Sequence, residues 1–265
     1  MSESESKEVA NRGIDDESLI AEAEGNVGFS KDESIIPFTR ILQPLSPQMG
    51  STPGAQPGMF LNIATGRLTD GKEGMNIVHV MHQWNYTEWV KREDGGGFIA
   101  DWGDDEAGWQ AQCEGAQKHA YKPETKDGHA IVKARHFFVF NLFDDGTYEP
   151  TILPFTGTAL KTAKQWSSMM QNAPKIETSK GFIVPAYQYY VYKVTVEEVK
   201  NSNYRWYEPR IKLLMKDNKP VSIKDYETGR EIWKNVISFR DSLKSGTIKA
   251  ASQEEYAGTE AEDRY

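Results

Sequence analysis

The chain has 265 residues, 38% hydrophobic and 26% charged, with a mean hydropathy of -0.64. That is enough apolar material for a real core, which excludes wholesale disorder, and no apolar run approaches the ~18 residues of a membrane span. A single cysteine, Cys113, excludes an intrachain disulfide and a Cys-rich zinc module. The net charge of -8 is concentrated at the ends: residues 1–34 hold ten acids and three bases, and residues 252–265 hold five acids and one base. Residues 35–251 are left at +3, and 130–251 alone carry +7. The opening MSESESKEVANRGIDDES has neither the basic nor the apolar region of a signal peptide. The reading is a soluble intracellular protein.

In chain order, residues 1–34 have no sustained apolar period and read as a disordered acidic tail. Order begins at Ile35-Ile36-Pro37-Phe38, a strand ending before Pro44, and residues 44–58 read as a long Pro- and Gly-rich loop. Met59–Ala64 and Met75–His82, the latter extended towards Trp89, read as strands. Residues 91–129 read as an insertion with a short helix near 106–118. Ala130–Phe143 and Tyr148–Phe155 form a hairpin about Asp144-Asp145-Gly146. Thr156-Gly157-Thr158 is the expected N-cap of a helix over Ala159–Gln171, with Leu160, Ala163, Ser167 and Met170 on one face. Pro185–Val196 and Tyr204–Met215 make a second strand pair, 221–244 a final helical segment, and 252–265 a second disordered acidic tail. Some five strands, a helix between strand pairs and long loops predict a mainly β, OB-fold-like, five-stranded, partly open barrel spanning 35–251.

Strand alternation separates faces. Along 130–143, Val132, Ala134, His136, Phe138, Phe140 and Leu142 read as core, opposite Lys133, Arg135, Phe137 and Asn141. Tyr190, Tyr192, Val194 and Val196 lie opposite Tyr187, Tyr189 and Lys193. Tyr207, Pro209, Ile211 and Leu213 lie opposite Tyr204, Trp206, Arg210 and Lys212. Three faces mixing aromatic rings with cations suit single-stranded nucleic acid, whose bases stack and whose phosphates need positive charge. Lys133, Arg135, Lys193, Arg210 and Lys212 are the expected phosphate contacts; Phe137, Tyr187, Tyr189, Tyr204 and Trp206 the expected base contacts. The C-terminal tail, with Glu254, Glu255, Glu260, Glu262, Asp263 and Tyr265, is the expected docking segment for a partner protein.

The opening IPFTRILQPLSPQ, PGMFLNIATGRL, HFFVFNLFDDGTYEP, FTGTALKTAKQWSSMM and the pair YQYYVYKVTVEEV / RWYEPRIKLL resemble phage-encoded, podovirus-like single-stranded-DNA-binding proteins of the OB-fold type. The resemblance implies sequence-independent coating of single strands in phage replication, recombination and repair. It also implies tail contacts with replication or transcription proteins such as a polymerase, self-association on DNA, and a place in the host bacterial cytoplasm. Arg264 inside the tail and the length of 91–129 depart from that pattern.

No phosphate loop, dinucleotide fingerprint or H-E-x-x-H is present. His79 and His82, three apart on a strand, are expected to face opposite ways and not to share a metal. No enzyme, cofactor or metal is expected. The rivals are a β-rich virion structural or assembly protein and a metal-dependent nuclease using Asp101, Asp104, Asp105 and Glu106.

Overall fold

The apolar alternation that starts at Met75 continues through a single 16-residue strand, Met75–Val90, and the rest of the main sheet is laid against it. The computed structural model describes residues 35–120, 122–246 and 248–250; both acidic tails fall outside the described residues. In chain order the elements are β1 (Ile35–Ile36), β2 (Thr39–Ile41), α1 (Gln48–Ser51), β3 (Phe60–Asn62), β4 (Leu68–Thr69), β5 (Met75–Val90), β6 (Gly97–Gly103) and α2 (Glu106–Gln112). They continue with β7 (Ala130–Leu142), β8 (Tyr148–Thr156), α3 (Leu160–Gln171), β9 (Ile176–Thr178), β10 (Gly181–Ile183), β11 (Val191–Lys200) and β12 (Arg205–Leu213). Last come β13 (Met215–Lys216), β14 (Lys219–Pro220), α4 (Gly229–Lys244) and β15 (Lys249–Ala250). The protein is mainly β with a few helices.

The main sheet runs β12-β11-β5-β7-β8, all antiparallel, and β6 pairs with the far end of β5. The hydrogen-bonded ladder does not close on itself. Between β8 and β12 lies the segment that carries β2: Ile152 N–H donates to Pro37 O, and Thr39 Oγ1 meets Thr151 Oγ1 at 2.8 Å. On the other side, the Gln43 side-chain amide exchanges two hydrogen bonds of 2.9 Å with the Tyr207 backbone. A side chain thus stands in for a strand residue at the seam.

The middle of the sheet, where β5, β7 and β8 pair, is buried on both faces. Against α3 it packs Ile77, Phe137, Val139, Phe155 and Tyr192 around Trp166, whose ring stacks on Phe137 at 4.3 Å. Against α4 it packs Val78, Val80, Phe138, Phe140 and Ile152 around Ile232 and Val236. Strands covered on both sides read as continuous apolar runs, and Phe137–Phe140 is one. The expected alternation of core and ligand faces along 130–143 is therefore corrected: from His136 to Leu142 every residue is buried.

Other boundaries also move. Residues 185–189 are irregular and turn rather than strand, Tyr190 makes an isolated bridge to Ser222, and residues 48–51 of the Pro-rich loop make one helical turn. α3 starts after a 3-10 turn at Gly157–Ala159, with no side-chain cap from Thr156 or Ala159. Its inner face is Thr162, Ala163, Trp166 and Met170, because the large indole outranks the expected Ser167 as a core residue. The insertion is itself built. β6 lines the end of β5, Asp105 caps α2 by accepting from Gly108 N at 2.8 Å, and Trp109 is fully buried beside Tyr86 and Ile131. Glu88 clamps it from β5, meeting His129 Nδ1 at 2.8 Å and accepting from the Trp102 indole at 3.2 Å.

The turn into β5 requires glycine. Gly74 has φ 71, and a Cβ there would lie 2.1 Å from the Val194 carbonyl oxygen on β11. Gly74→Ala is expected to cost roughly 1–3 kcal/mol, from backbone strain and a forced shift of β11. Urea denaturation reads it, and an unchanged midpoint would show that the turn gives freely.

Candidate nucleic-acid interface

A cleft of about 790 Å³ opens where the insertion, the start of β7, the end of β8 and the β11–β12 hairpin converge. Its bases are Arg40, Lys91, Lys122, Lys133 and Arg205 against the acids Glu93, Glu124 and Glu208, so the lining is net positive in a protein that is net negative. The acids are partly committed. Glu124 meets Lys91 Nζ at 2.8 Å, and that hydrogen bond holds the Lys91 amine above its usual range. Burial pushes the Glu208 carboxyl up, but hydrogen bonds from Thr158, Trp206 and Arg210 outweigh it and hold it below the usual carboxylate range. Glu208 is thus an ionised anchor. The Trp206 indole N–H donates to it at 2.8 Å, which fixes the ring at the cleft wall.

Tyr204 stands at the lip, 65% exposed. The Asn201 side chain holds it there by accepting from the backbone N–H groups of Asn203 at 2.9 Å and Tyr204 at 2.7 Å. Lys133, which lines the cleft, lies over the ring of Trp109, a buried residue of the insertion, at 5.0 Å. Arg205 makes no ion pair among the described residues. The arrangement offers rings for stacking at the hairpin and cations on the opposite wall.

Of the ten residues expected to touch DNA, Lys133, Tyr204 and Trp206 line this cleft. Arg135 is two residues along the same face, half-buried over Trp84 at 4.9 Å, and desolvation draws its pKa down. Phe137 is 0% exposed against Trp166 and Phe155, so its expected role on a base is corrected to a core role. Tyr187 is exposed beside His79, and Tyr189 packs edge-on to Tyr190 at 4.9 Å under Lys224; neither lines the cleft. Arg210 is held by Glu197 at 2.8 Å and Glu208 at 3.0 Å, so its charge is already met.

Lys193 and Lys212 are direct cross-strand neighbours, but six residues along β12 from Trp206, about 20 Å at ~3.4 Å per residue. The tail residues Glu254, Glu255, Glu260, Glu262, Asp263 and Tyr265 lie outside the described residues. Sequence reasoning missed Lys91, Lys122 and Arg205. The first two sit on the irregular insertion, where alternation carries no signal, and Arg205 belongs by parity to the opposite face of β12. It reaches the cleft because it is the first residue of an edge strand.

The histidine expectation is also corrected. A β-bulge between His79 and Met81 shifts the alternation by one, which puts His79 Nε2 2.9 Å from His82 Nδ1. Burial, then the neighbouring His82 and Arg135 charges, hold His79 down to about 3. Burial and Arg135 hold His82 down to about 4. In the 101–106 segment, Asp101 accepts from Asn85 and Gly103, Asp105 caps α2, and Glu106 accepts from Gln110. Among the described residues no group of three or more His, Cys, Asp or Glu is placed to hold a metal ion. Nor is any helix among them long and apolar enough to cross a membrane.

Residues 8–249 match the family described as Pam3 phage gp34-like protein. The chain belongs to this family of bacteriophage proteins. No curated protein and no solved structure matches it.

Proposed function

We propose that the protein binds single-stranded DNA without sequence preference through the 790 Å³ cleft, on a barrel of the OB type. The observation that carries the reading is where the cleft lies. Taking β5, β7, β8, β11 and β12 as strands one to five, the sheet order is 5-4-1-2-3, with α3 between strands three and four. The sheet is open between strands three and five, and Pro37–Gln43 fills the gap. OB-folds bind oligonucleotides across strands two and three and the loops joining strands one to two and four to five. Those loops here are 91–129 and 201–204, and both border the cleft. Stacking on Tyr204 and Trp206, with phosphates on Lys122, Lys133 and Arg205, tolerates any base sequence.

In a phage protein this activity fits the coating of single strands during replication, recombination and repair, in the host cytoplasm and without catalysis. Replication or transcription proteins would contact the acidic tail.

The test is intrinsic tryptophan fluorescence, titrated with oligo-dT, a matched duplex and oligo-U at two salt concentrations. Quenching by oligo-dT ahead of duplex, weakening with salt, is expected. Tyr204→Ala is expected to weaken binding by about 1–3 kcal/mol, five- to 150-fold, with Tm unchanged because the ring is exposed. No response to any of the three nucleic acids sinks the reading. The rival, a virion structural or assembly protein, draws on one observation: Phe182 and Ile183 on β10, and Val184 just after it, are 70%, 45% and 43% exposed. It predicts stable oligomers indifferent to DNA.

A further inference from the structure

Two like-charged pairs face each other across adjacent strands away from the cleft. Lys193 on β11 is directly opposite Lys212 on β12, and Lys216 on β13 is directly opposite Lys219 on β14. Leu214, which joins β12 to β13, packs against the α4-side core that contains Val191, and Lys216 follows Lys212 by only four residues along the chain. Lys212, Lys216 and Lys219 are exposed and Lys193 is half-buried. Among the described residues none of the four makes an ion pair. Directly opposed like charges destabilise a sheet. The next row on the same face shows the usual remedy, with Arg210 bonded to Glu197 and Glu208. Within the Met215–Pro220 hairpin the one acid is Asp217, at its turn, and Asp225 is committed to the backbone and hydroxyl of Ser222.

We propose that Lys193, Lys212, Lys216 and Lys219 form a second track for a phosphate chain, which takes the backbone of a single strand after it leaves the cleft. The inference rests on the single-strand reading above. The track lies about 20 Å from Trp206 along β12 at ~3.4 Å per residue, so only a strand longer than the cleft reaches it. It presents cations without exposed rings beside them, so it contacts backbone and not bases.

The experiment compares dT30 with dT4, too short to span from Trp206 to the lysines, on the full-length chain, wild type against Lys193→Gln/Lys212→Gln and against Tyr204→Ala. For the lysine variant, dT30 affinity at low salt is expected to fall about ten-fold, and its log K–log salt slope to flatten by about 1.4, or 0.7 per lost single-strand phosphate contact. Its dT4 affinity is expected to stay at the wild-type value. Relief of the like-charge pair keeps the variant folded, with Tm at or above wild type. An unchanged dT30 affinity and slope overturn the track and leave the cleft standing, and would point to an acidic protein as the partner of these lysines. If the lysine variant loses dT30 while Tyr204→Ala does not, the track stands and the cleft falls. A wild-type chain that binds no dT30 overturns both.

Discussion

Phe137→Ala is expected to cost about 3–5 kcal/mol of folding stability and to change DNA affinity only through unfolding. The ring has 0% exposure, stacks on Trp166 at 4.3 Å and meets Phe155 edge-on at 5.2 Å, so truncation removes its burial and leaves a cavity at the centre of the α3-side core. Chemical denaturation followed by tryptophan emission measures the loss. Phe137→Leu separates packing from binding: below its Tm it is expected to bind oligo-dT as the wild type does. A folded Phe137→Leu with weakened binding would return the residue to the interface. This variant and Tyr204→Ala form a contrast, since one should lower stability and spare affinity and the other should do the reverse.

Acid is expected to destabilise the protein well above the carboxylate range, because of His79. Its folded pKa is depressed to about 3 from 6.5, so the unfolded chain binds the proton first as pH falls. The stability it contributes is complete above about pH 6.5 and is lost on the way down at about 1.4 kcal/mol per pH unit. That amounts to roughly 2 kcal/mol by pH 5 and roughly 4 kcal/mol by pH 3.5. His82, depressed to about 4 but only partly buried, adds in the same direction with solvent screening reducing its share. Denaturation midpoints between pH 7 and pH 5 measure the slope, and His79→Gln is expected to flatten most of it. Equal slopes in wild type and variant would place the acid sensitivity elsewhere.

Much of the architecture was legible because strand and turn chemistry is local. The β7–β8 hairpin about Asp144-Asp145-Gly146, the long strand from Met75 and the outer face of β12 all follow from alternation and turn residues. That alternation also placed Tyr204 and Trp206 at an accessible surface. It failed at Phe137 because parity along a strand says which residues share a face, and not what covers it. α3 and α4 come from distant parts of the chain and close over both faces of the sheet. It failed at His79 because one bulged residue reverses every later assignment on that strand.

The sequence by itself determined the strand-rich core between two acidic ends, the order of the main strands and helices, and the residues able to stack or carry charge. The tertiary structure alone decided which cations meet. Lys91 and Lys122 from the insertion, Lys133 from β7 and Arg205 from β12 line one cleft, while Lys193 and Lys212 lie on a separate surface. Residues far apart in sequence are brought together only by strand pairing and by the packing of the insertion on β5. Both are long-range contacts whose energy no local pattern encodes.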